Sequence, residues 1–336
     1  MVDLDEFRKS LSRAVVRHIG APGEVEDLRR LTGGATKTTW TFSAKVGGET
    51  LRLVMQQSSP REVKGGDPLG ALPRLVGADD AAIMIAAARA GVPAPRVRAI
   101  LAPDDGIGRG YIMDFVPGET IARRILREPS HAALRSKFAG QCGAILGKLH
   151  AMPRERLPFL VPFGAAAQVE LYERVYRSYD LPQPALDLGF RWAAAHVPSA
   201  RRTTVVHGDF RMGNLICGPE KIAAVIDWEI GHLGDPMEDL GWLCVKTWRF
   251  GGKSPVGGLG RREDLFAAYE AATGLRVDPA AVRFWEAFGS VKWAVMCMMK
   301  GLSHLRGAER SLEQLAIGRR MEEPIHDFLQ LLAGED

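Results

Sequence analysis

Val205-Val206-His207-Gly208-Asp209-Phe210-Arg211-Met212-Gly213-Asn214-Leu215-Ile216 and, one turn later, Ala223-Ala224-Val225-Ile226-Asp227-Trp228-Glu229 decide how this chain is read. They set three polar side chains, Asp209, Asn214 and Asp227, among short apolar runs. Runs of that length, broken by Gly and Pro, read as strands rather than helices. The expected order is a strand over 203–206, a loop carrying Asp209, and a strand over 214–217 opened by Asn214. A turn at Gly218-Pro219-Glu220 leads to a strand over 221–226 that delivers Asp227 at its far end. A hairpin brings positions 214 and 227 side by side, because antiparallel strands need only a short connection. Asp, Asn and Asp gathered at one point suit a divalent cation bound through oxygen, Mg²⁺ above all, with substrate phosphates completing its shell.

Asp209 stands five residues before Asn214. That is the spacing of the kinase catalytic loop, where the Asp takes the acceptor's hydroxyl proton and the Asn holds a metal. Asp227 falls where a second metal-binding Asp belongs. His207-Gly208-Asp209 through Asn214, Ile226-Asp227-Trp228-Glu229, and Gly234-Asp235-Pro236 through Asp239-Leu240 resemble the aminoglycoside phosphotransferase/choline kinase family. The similarity is greatest to the branch related to kinase-like modules fused to acyl-CoA dehydrogenases. It runs from about Leu31 to about Leu332 and is densest between 203 and 243. The resemblance implies an α+β fold of two lobes. Residues 1–115 would form a small N-terminal lobe, with an N-terminal helix and a nucleotide-binding antiparallel sheet. Residues 116–336 would form a large, mostly helical C-terminal lobe with the catalytic hairpin and the acceptor site. It further implies ATP and Mg²⁺ as cofactors, with phosphoryl transfer to the hydroxyl of a small molecule.

The bulk numbers agree. A chain of 336 residues with 46% apolar composition can bury a large core. The net charge of +4, from 44 basic and 40 acidic residues, is too mild to argue for a nucleic-acid partner. Cys142, Cys217, Cys244 and Cys297 lie unpaired in apolar runs and read as buried free thiols in a reducing cytoplasm. No apolar run reaches the roughly 18 residues that a membrane span needs, and the acidic, amphipathic N-terminus does not read as a signal peptide. A soluble, cytoplasmic protein without a membrane partner is expected; oligomeric state is not legible.

Outward from the core stretch, residues 4–19 space Leu4, Phe7, Leu11, Val15 and Ile19 as an amphipathic helix. Thr38 to Phe42 and Leu51 to Met55 flank Gly47-Gly48 as a hairpin. Gly33-Gly34, at its entrance, can lay backbone N–H groups against a phosphate. Residues 58–70 read as a loop rich in Pro, Gly and charge. A helix from Asp79 or Asp80 to Ala90 follows, ended by Gly91 and Pro93. Strands over 96–101 and 110–115 come next, and the family places its lobe hinge and adenine contact there, here about Met113 to Val116, with Met113 and Phe115 among the nucleotide contacts. Beyond the hinge the expectation is helical apart from the central hairpin: 131–152, one or two helices over 168–197, 237–248, an all-round apolar core helix over 281–305, and 311–333. Gly251 to Gly260 reads as a glycine-rich loop.

By the family pattern, Asp209 orients the acceptor hydroxyl and takes its proton late, and Asn214 and Asp227 are metal ligands, with Glu229 assisting. His207 counts with Asp209 among the candidate catalytic residues and is expected to brace the loop by bonding backbone near Asp227. Arg211 reads as exposed in the same loop, either to meet a phosphate or an acidic acceptor or as a plain solvated arginine. His150, Asp235 and Asp239 read as structural, Asp239 by holding the catalytic loop through backbone hydrogen bonds. One departure stands out. The family carries a Lys or Arg on the second hairpin strand for the nucleotide phosphates and a Glu on the next helix to hold it; here those positions fall on Gln56 and on Asp80, or less favourably Asp79. Gln cannot neutralise a phosphate. Arg52 shares its strand face but lies about 13 Å away; Lys37, Arg61 and Lys64 are better placed. Only the seven residues 228–234 separate Asp227 from Asp235, which leaves little room for a protein-substrate platform and favours a small acceptor. The arginines of 168–202 argue against a polycationic aminoglycoside, and analogy suggests a hydroxyacyl-CoA or hydroxy acid. Two rival readings are a non-catalytic nucleotide-binding module, motivated by Gln56, and a metal-dependent hydrolase built on His207, Asp209, Asp227 and His232. Retention of Asp209, Asn214 and Asp227 in kinase-like order argues against both.

Overall fold

The computed structural model describes residues 3–20, 24–31, 37–58, 72–199, 201–308 and 310–334. Gly33, Gly34, Arg61, Lys64 and nearly all of the 58–70 loop lie outside the described residues. Five antiparallel strands, β1 (Val25–Leu31), β2 (Lys37–Val46), β3 (Glu49–Ser58), β4 (Val97–Ile100) and β5 (Gly110–Asp114), form one sheet in the order β1-β2-β3-β5-β4. Gly47 and Gly48 turn β2 into β3 with φ of +58° and +86°, the left-handed pair that a tight hairpin requires. The pleat sorts the side chains. Trp40 and Phe42 of β2, Leu53 and Met55 of β3 and Ile112 of β5 pack with Phe7, Leu11 and Val15 of helix α1 (Leu4–His18). That helix starts where Asp3 accepts from Asp5 N and Glu6 N at 3.0 and 3.3 Å. The alternate positions, Lys37, Thr39, Val54, Gln56 and Tyr111, face the other way. Val54 and Tyr111 there join the core of helix α2 (Ala78–Arg89), with Ala81, Met84 and Ala87.

Beyond β5 the chain is mainly helical: α3 (Ala122–Arg127), α4 (Ala132–Arg135), α5 (Phe138–His150), α6 (Ala165–Arg177) and α7 (Pro184–Ala195) precede the site, and α8 (Met237–Cys244), α9 (Arg262–Thr273), α10 (Pro279–Leu305), α11 (Leu312–Gly318) and α12 (Glu322–Leu332) follow it. Between them lie β6 (Thr204–Val206), β7 (Leu215–Cys217), β8 (Ile222–Val225) and β9 (His232–Gly234). The 27-residue α10 is capped by Asp278 and buried along most of its length, with Phe288, Val291 and Val295 in the main core. Gly241 lets α8 lie directly on it: a Cβ there would sit 2.5 Å from Cβ of Trp285. The expected two-lobed α+β architecture is the one observed. No described helix is long and apolar enough to cross a membrane.

Several boundaries differ from the sequence expectation. The helix expected over 131–152 is broken at Ser136-Lys137, where the Ser136 hydroxyl donates to Ala133 O at 3.0 Å and competes with the helical ladder. The one expected over 311–333 divides into α11 and α12 around Arg319–Met321. Helix 237–248 ends at Cys244, and Lys246–Arg249 continue as a tighter turn. Asn214 belongs to a one-turn 3₁₀ segment, Met212–Asn214, rather than opening the strand. Strand β9 was not expected. It pairs with β6 through Val205 and Leu233, a partnership across distant sequence that no local alternation announces.

Candidate active site

Strands β7 and β8 form the expected hairpin, with Leu215 opposite Val225 and Ile226 N donating to Asn214 O at 2.9 Å. Asn214 and Asp227 therefore end side by side. Asp227 has φ of +66°, a conformation that costs a non-glycine residue roughly 1–2 kcal/mol and concentrates at functional sites.

The loop from β6 is held by a buried anchor. Asp239 of α8 accepts from His207 N at 2.8 Å and Gly208 N at 2.9 Å, while His150 Nε2 lies 3.1 Å away. Burial pushes the Asp239 carboxyl up, but His150 and the His207 neighbourhood pull it below the ordinary carboxylate range. Gly208, with φ of +78° and a would-be Cβ 3.0 Å from Ile230 O, makes the sharp turn. His207 is fully buried; its Nε2–H donates to Ile226 O at 3.1 Å and its Nδ1 accepts from Asp209 N at 3.2 Å. It ties the loop to the end of β8.

Asp209 meets donors on both oxygens. Oδ2 accepts from Asn214 Nδ2 at 2.7 Å; Oδ1 accepts from Arg211 Nε at 2.9 Å and Trp242 Nε1 at 2.7 Å. Asn214 Nδ2 also reaches Asp209 O at 2.9 Å, which aims its Oδ1 elsewhere. Among the described residues no three His, Cys, Asp or Glu side chains form a ready metal cage. The hard oxygens available here are those of Asp227 and Glu229, 3.3 and 3.6 Å from Lys37 Nζ, and of Asn214 at the facing end of the hairpin, with the Asp227 side chain 39% exposed. Such a partial shell fits Mg²⁺, which keeps several waters and takes phosphate oxygens.

On the facing sheet, Thr39, Gln56 and Tyr111 stand in register across β2, β3 and β5. The Tyr111 hydroxyl lies 2.6 Å from Gln56 Oε1 and 3.0 Å from Asp80 Oδ2. Lys37 reaches in from β2, its Nζ 2.7 Å from Asp80 Oδ2, 3.3 Å from Asp227 Oδ1 and 3.6 Å from Glu229 Oε2. Burial would lower its ammonium, yet the three carboxylates hold it up at about 12. Arg52 instead stacks on Phe115 at 4.0 Å. Met113 is committed to the sheet between Val54 and Val97, and Phe115 N donates to Arg52 O at 3.0 Å.

The chain belongs to the phosphotransferase enzyme family. Its residues 27–285 match the family model. Mouse (Mus musculus) acyl-CoA dehydrogenase family member 10 is 35% identical over 176 residues, which is 48% of this chain and 16% of that protein. The chain thus spans only a small part of that relative's length. A provisionally named aminoglycoside phosphotransferase from Ralstonia eutropha JMP134 superposes with a TM-score of 0.73 at 22% identity, covering 98% of both chains. A choline/ethanolamine kinase family protein from Mesorhizobium loti gives 0.61 at 23%, again over 98% of each. At those identities the solved structures establish the kinase-like fold.

Other features of this phosphotransferase were not singled out from its sequence. Trp242 is the clearest. It stands three residues after Asp239, the spacing that puts two side chains on one face of a helix, and that spacing was the available signal. Trp248 carries the Arg211 guanidinium 4.7 Å above its ring and packs with Trp242 and Trp293. Lys292, from α10, lies 5.0 Å from the Trp242 ring and bonds Gln168 at 2.8 Å and Glu238 at 3.5 Å. His232, which the hydrolase alternative makes a metal ligand, instead faces this same buried network, with Nε2 3.1 Å from Glu238 Oε2.

Proposed function

We propose that this phosphotransferase moves the γ-phosphoryl group of ATP to a hydroxyl of a small anionic molecule. Asp209 orients that hydroxyl and receives its proton, while Asn214 and Asp227, assisted by Glu229, hold Mg²⁺. The reading is carried by one observation: the Asp209 carboxylate, 2.7 Å from Asn214 Nδ2, sits at the mouth of the hairpin that ends in Asp227. As the acceptor oxygen forms its bond to Pγ, the bond from Pγ to the bridging oxygen of the departing diphosphate breaks. The proton passes to Asp209 late in the step. Bound Mg²⁺ supplies charge neutralisation at the phosphate oxygens. His207 holds the loop rather than exchanging protons.

The nucleotide would lie under the sheet, with Gln56 and Asp80 near its phosphates and the adenine against the crossover 113–116; Gly33 and Gly34, the other expected phosphate contacts, lie outside the described residues. The lobes would divide between Phe115 and Val116, just past the end of the sheet. Arg211 on Trp248 gives the acceptor side a cation on an aromatic platform beside Asp209. A carboxylate- or phosphate-bearing alcohol suits that better than a polycation. Together with the named relative, this favours a hydroxyacyl-CoA or a hydroxy acid. Four buried, free cysteines favour a cytoplasmic setting.

The test is transfer from ATP, with and without Mg²⁺, to a panel of hydroxyacyl-CoAs, hydroxy acids, choline and aminoglycosides, read by mass spectrometry of the phosphorylated product. Asp209→Asn should cut the rate by about 10²- to 10⁴-fold while nucleotide still binds. Absence of product from every class, with nucleotide binding that ignores both Mg²⁺ and Asp227→Ala, refutes the reading and leaves the non-catalytic alternative.

A further inference from the structure

A polyphosphate bound between the sheet and Asp227 needs a fixed cation beside it, because Asp80, Asp227 and Glu229 concentrate negative charge there. Strand β3 does not supply one at the point nearest these carboxylates, where Gln56 is neutral and bonded to Tyr111. The neighbouring strand does. In the β2–β3 register Thr39 faces Gln56 and Lys37 faces Ser58, so Lys37 is the diagonal neighbour of Gln56 on the same face of the sheet. Its side chain is 8% exposed, and its ammonium spans from Asp80, in the first turn of α2, to Asp227 on the hairpin.

We propose that Lys37 is the phosphate-binding cation of this protein, delivered from β2 into the place that Gln56 leaves neutral on β3, with Asp80 as its anchor. The assignment rests on the phosphotransferase reading. Three features of the geometry support it. An ammonium has three donors; the short 2.7 Å contact to Asp80 uses one, and the longer 3.3 Å contact to Asp227 Oδ1 a second, which holds the charge on the Asp227 side of its anchor. The anchor is itself held, since the Tyr111 hydroxyl approaches the same Asp80 oxygen at 3.0 Å. Arg52, the cation that β3 does carry on this face, is spent on Phe115.

The competing explanation is a structural ion pair that locks sheet to hairpin without touching nucleotide. The two differ in what a swap does. Binding of MgADP and MgATP is measured by titration calorimetry on wild type, Lys37→Gln, Gln56→Lys and the double variant Lys37→Gln/Gln56→Lys, with thermal unfolding of each. Lys37→Gln should weaken nucleotide binding by about 10- to 100-fold, the worth of one charge-assisted hydrogen bond. The double variant, which restores a lysine one strand over beside the same Asp80, should recover most of that loss. It also keeps the test alive if Lys37→Gln alone leaves Asp80 unpaired and fails to fold. A folded Lys37→Gln that binds nucleotide as wild type does, even with a lowered unfolding temperature, overturns the proposal. So does a folded double variant that fails to bind. Wild type that binds neither nucleotide overturns the phosphotransferase reading itself, a result distinct from loss confined to Lys37→Gln.

Discussion

Asp239→Asn is the sharpest perturbation of the loop that carries Asp209. The two carboxylate oxygens of Asp239 serve separate backbone groups, Oδ2 the N–H of His207 and Oδ1 the N–H of Gly208. An amide retains one acceptor and turns the other into an NH₂ group. One of the two buried N–H groups is then unsatisfied, at about 1–3 kcal/mol. The surviving bond loses its charge assistance, at about 1 kcal/mol more. The total is roughly 2–4 kcal/mol. At about 2.1 cal/mol/K of unfolding entropy per residue, 336 residues give roughly 0.7 kcal/mol/K, so the unfolding midpoint should fall by about 3–6 °C at neutral pH.

The same residue sets a pH dependence. Burial raises the Asp239 carboxyl, and its partners, led by His150, more than reverse this, so its folded-state pKa lies below the usual value. A depressed carboxylate contributes fully above its unfolded pKa of about 3.9 and loses that contribution as pH falls through the folded value. Differential scanning calorimetry of wild type and Asp239→Asn should therefore show the full gap at pH 7 and a shrinking gap below about pH 4. A midpoint unchanged at pH 7, or a gap that stays constant on acidification, refutes the argument that Asp239 is an ionised anchor.

Trp242→Phe removes the indole donor from Asp209 Oδ1 and should lower kcat by about 10- to 100-fold with nucleotide affinity unchanged; steady-state kinetics beside calorimetric binding checks both. His232 is lowered by burial but raised further by Glu238, so its folded pKa lies above 6.5 and its contribution is full below 6.5 and fades as pH rises through the raised value. The unfolding midpoint of His232→Asn should then lag wild type most near pH 6 and converge on the alkaline side, read by circular dichroism melts. Gly208→Ala forces an L side chain to a φ of +78° against Ile230 O, which should cost about 1–2 kcal/mol of stability in denaturant melts.

What could be read from the sequence was local. The Gly47-Gly48 hairpin, the apolar α10 and the β7–β8 hairpin each carry their signal within a few consecutive residues, through turn chemistry or periodicity. The pairing of Asn214 with the end that carries Asp227 followed because a hairpin fixes which of its residues are neighbours. Contacts made across the fold were silent. Strand β9 is three residues long, and its central residue Leu233 finds its partner, Val205, 28 positions earlier. Lys37 could be narrowed only to one of three cations, since choosing it depends on the register of β2 against β3. The indole of Trp242 could not be aimed at Asp209 until α8 was placed on α10 by Gly241.

The left-handed backbone at Asp227 explains why so many of these contacts meet at one hairpin. A strained residue persists only where its surroundings over-determine it. Ile226, immediately before it, donates to Asn214 O at 2.9 Å and accepts from His207 Nε2 at 3.1 Å. Val225 N bonds Pro93 O at 2.8 Å, fastening β8 to the segment that follows α2. On the other strand, Glu119 and Cys217 exchange backbone bonds of 2.8 and 2.9 Å, fastening β7 to the crossover from the sheet. Leu75 N bonds Glu229 O at 2.6 Å just beyond. Asp227 is thus fixed by segments from before and after β5, and its carboxylate is set by backbone rather than by side-chain rotamer alone. Loosening any one of these pins should move Asp227 before it unfolds the hairpin, because the strain is released there first.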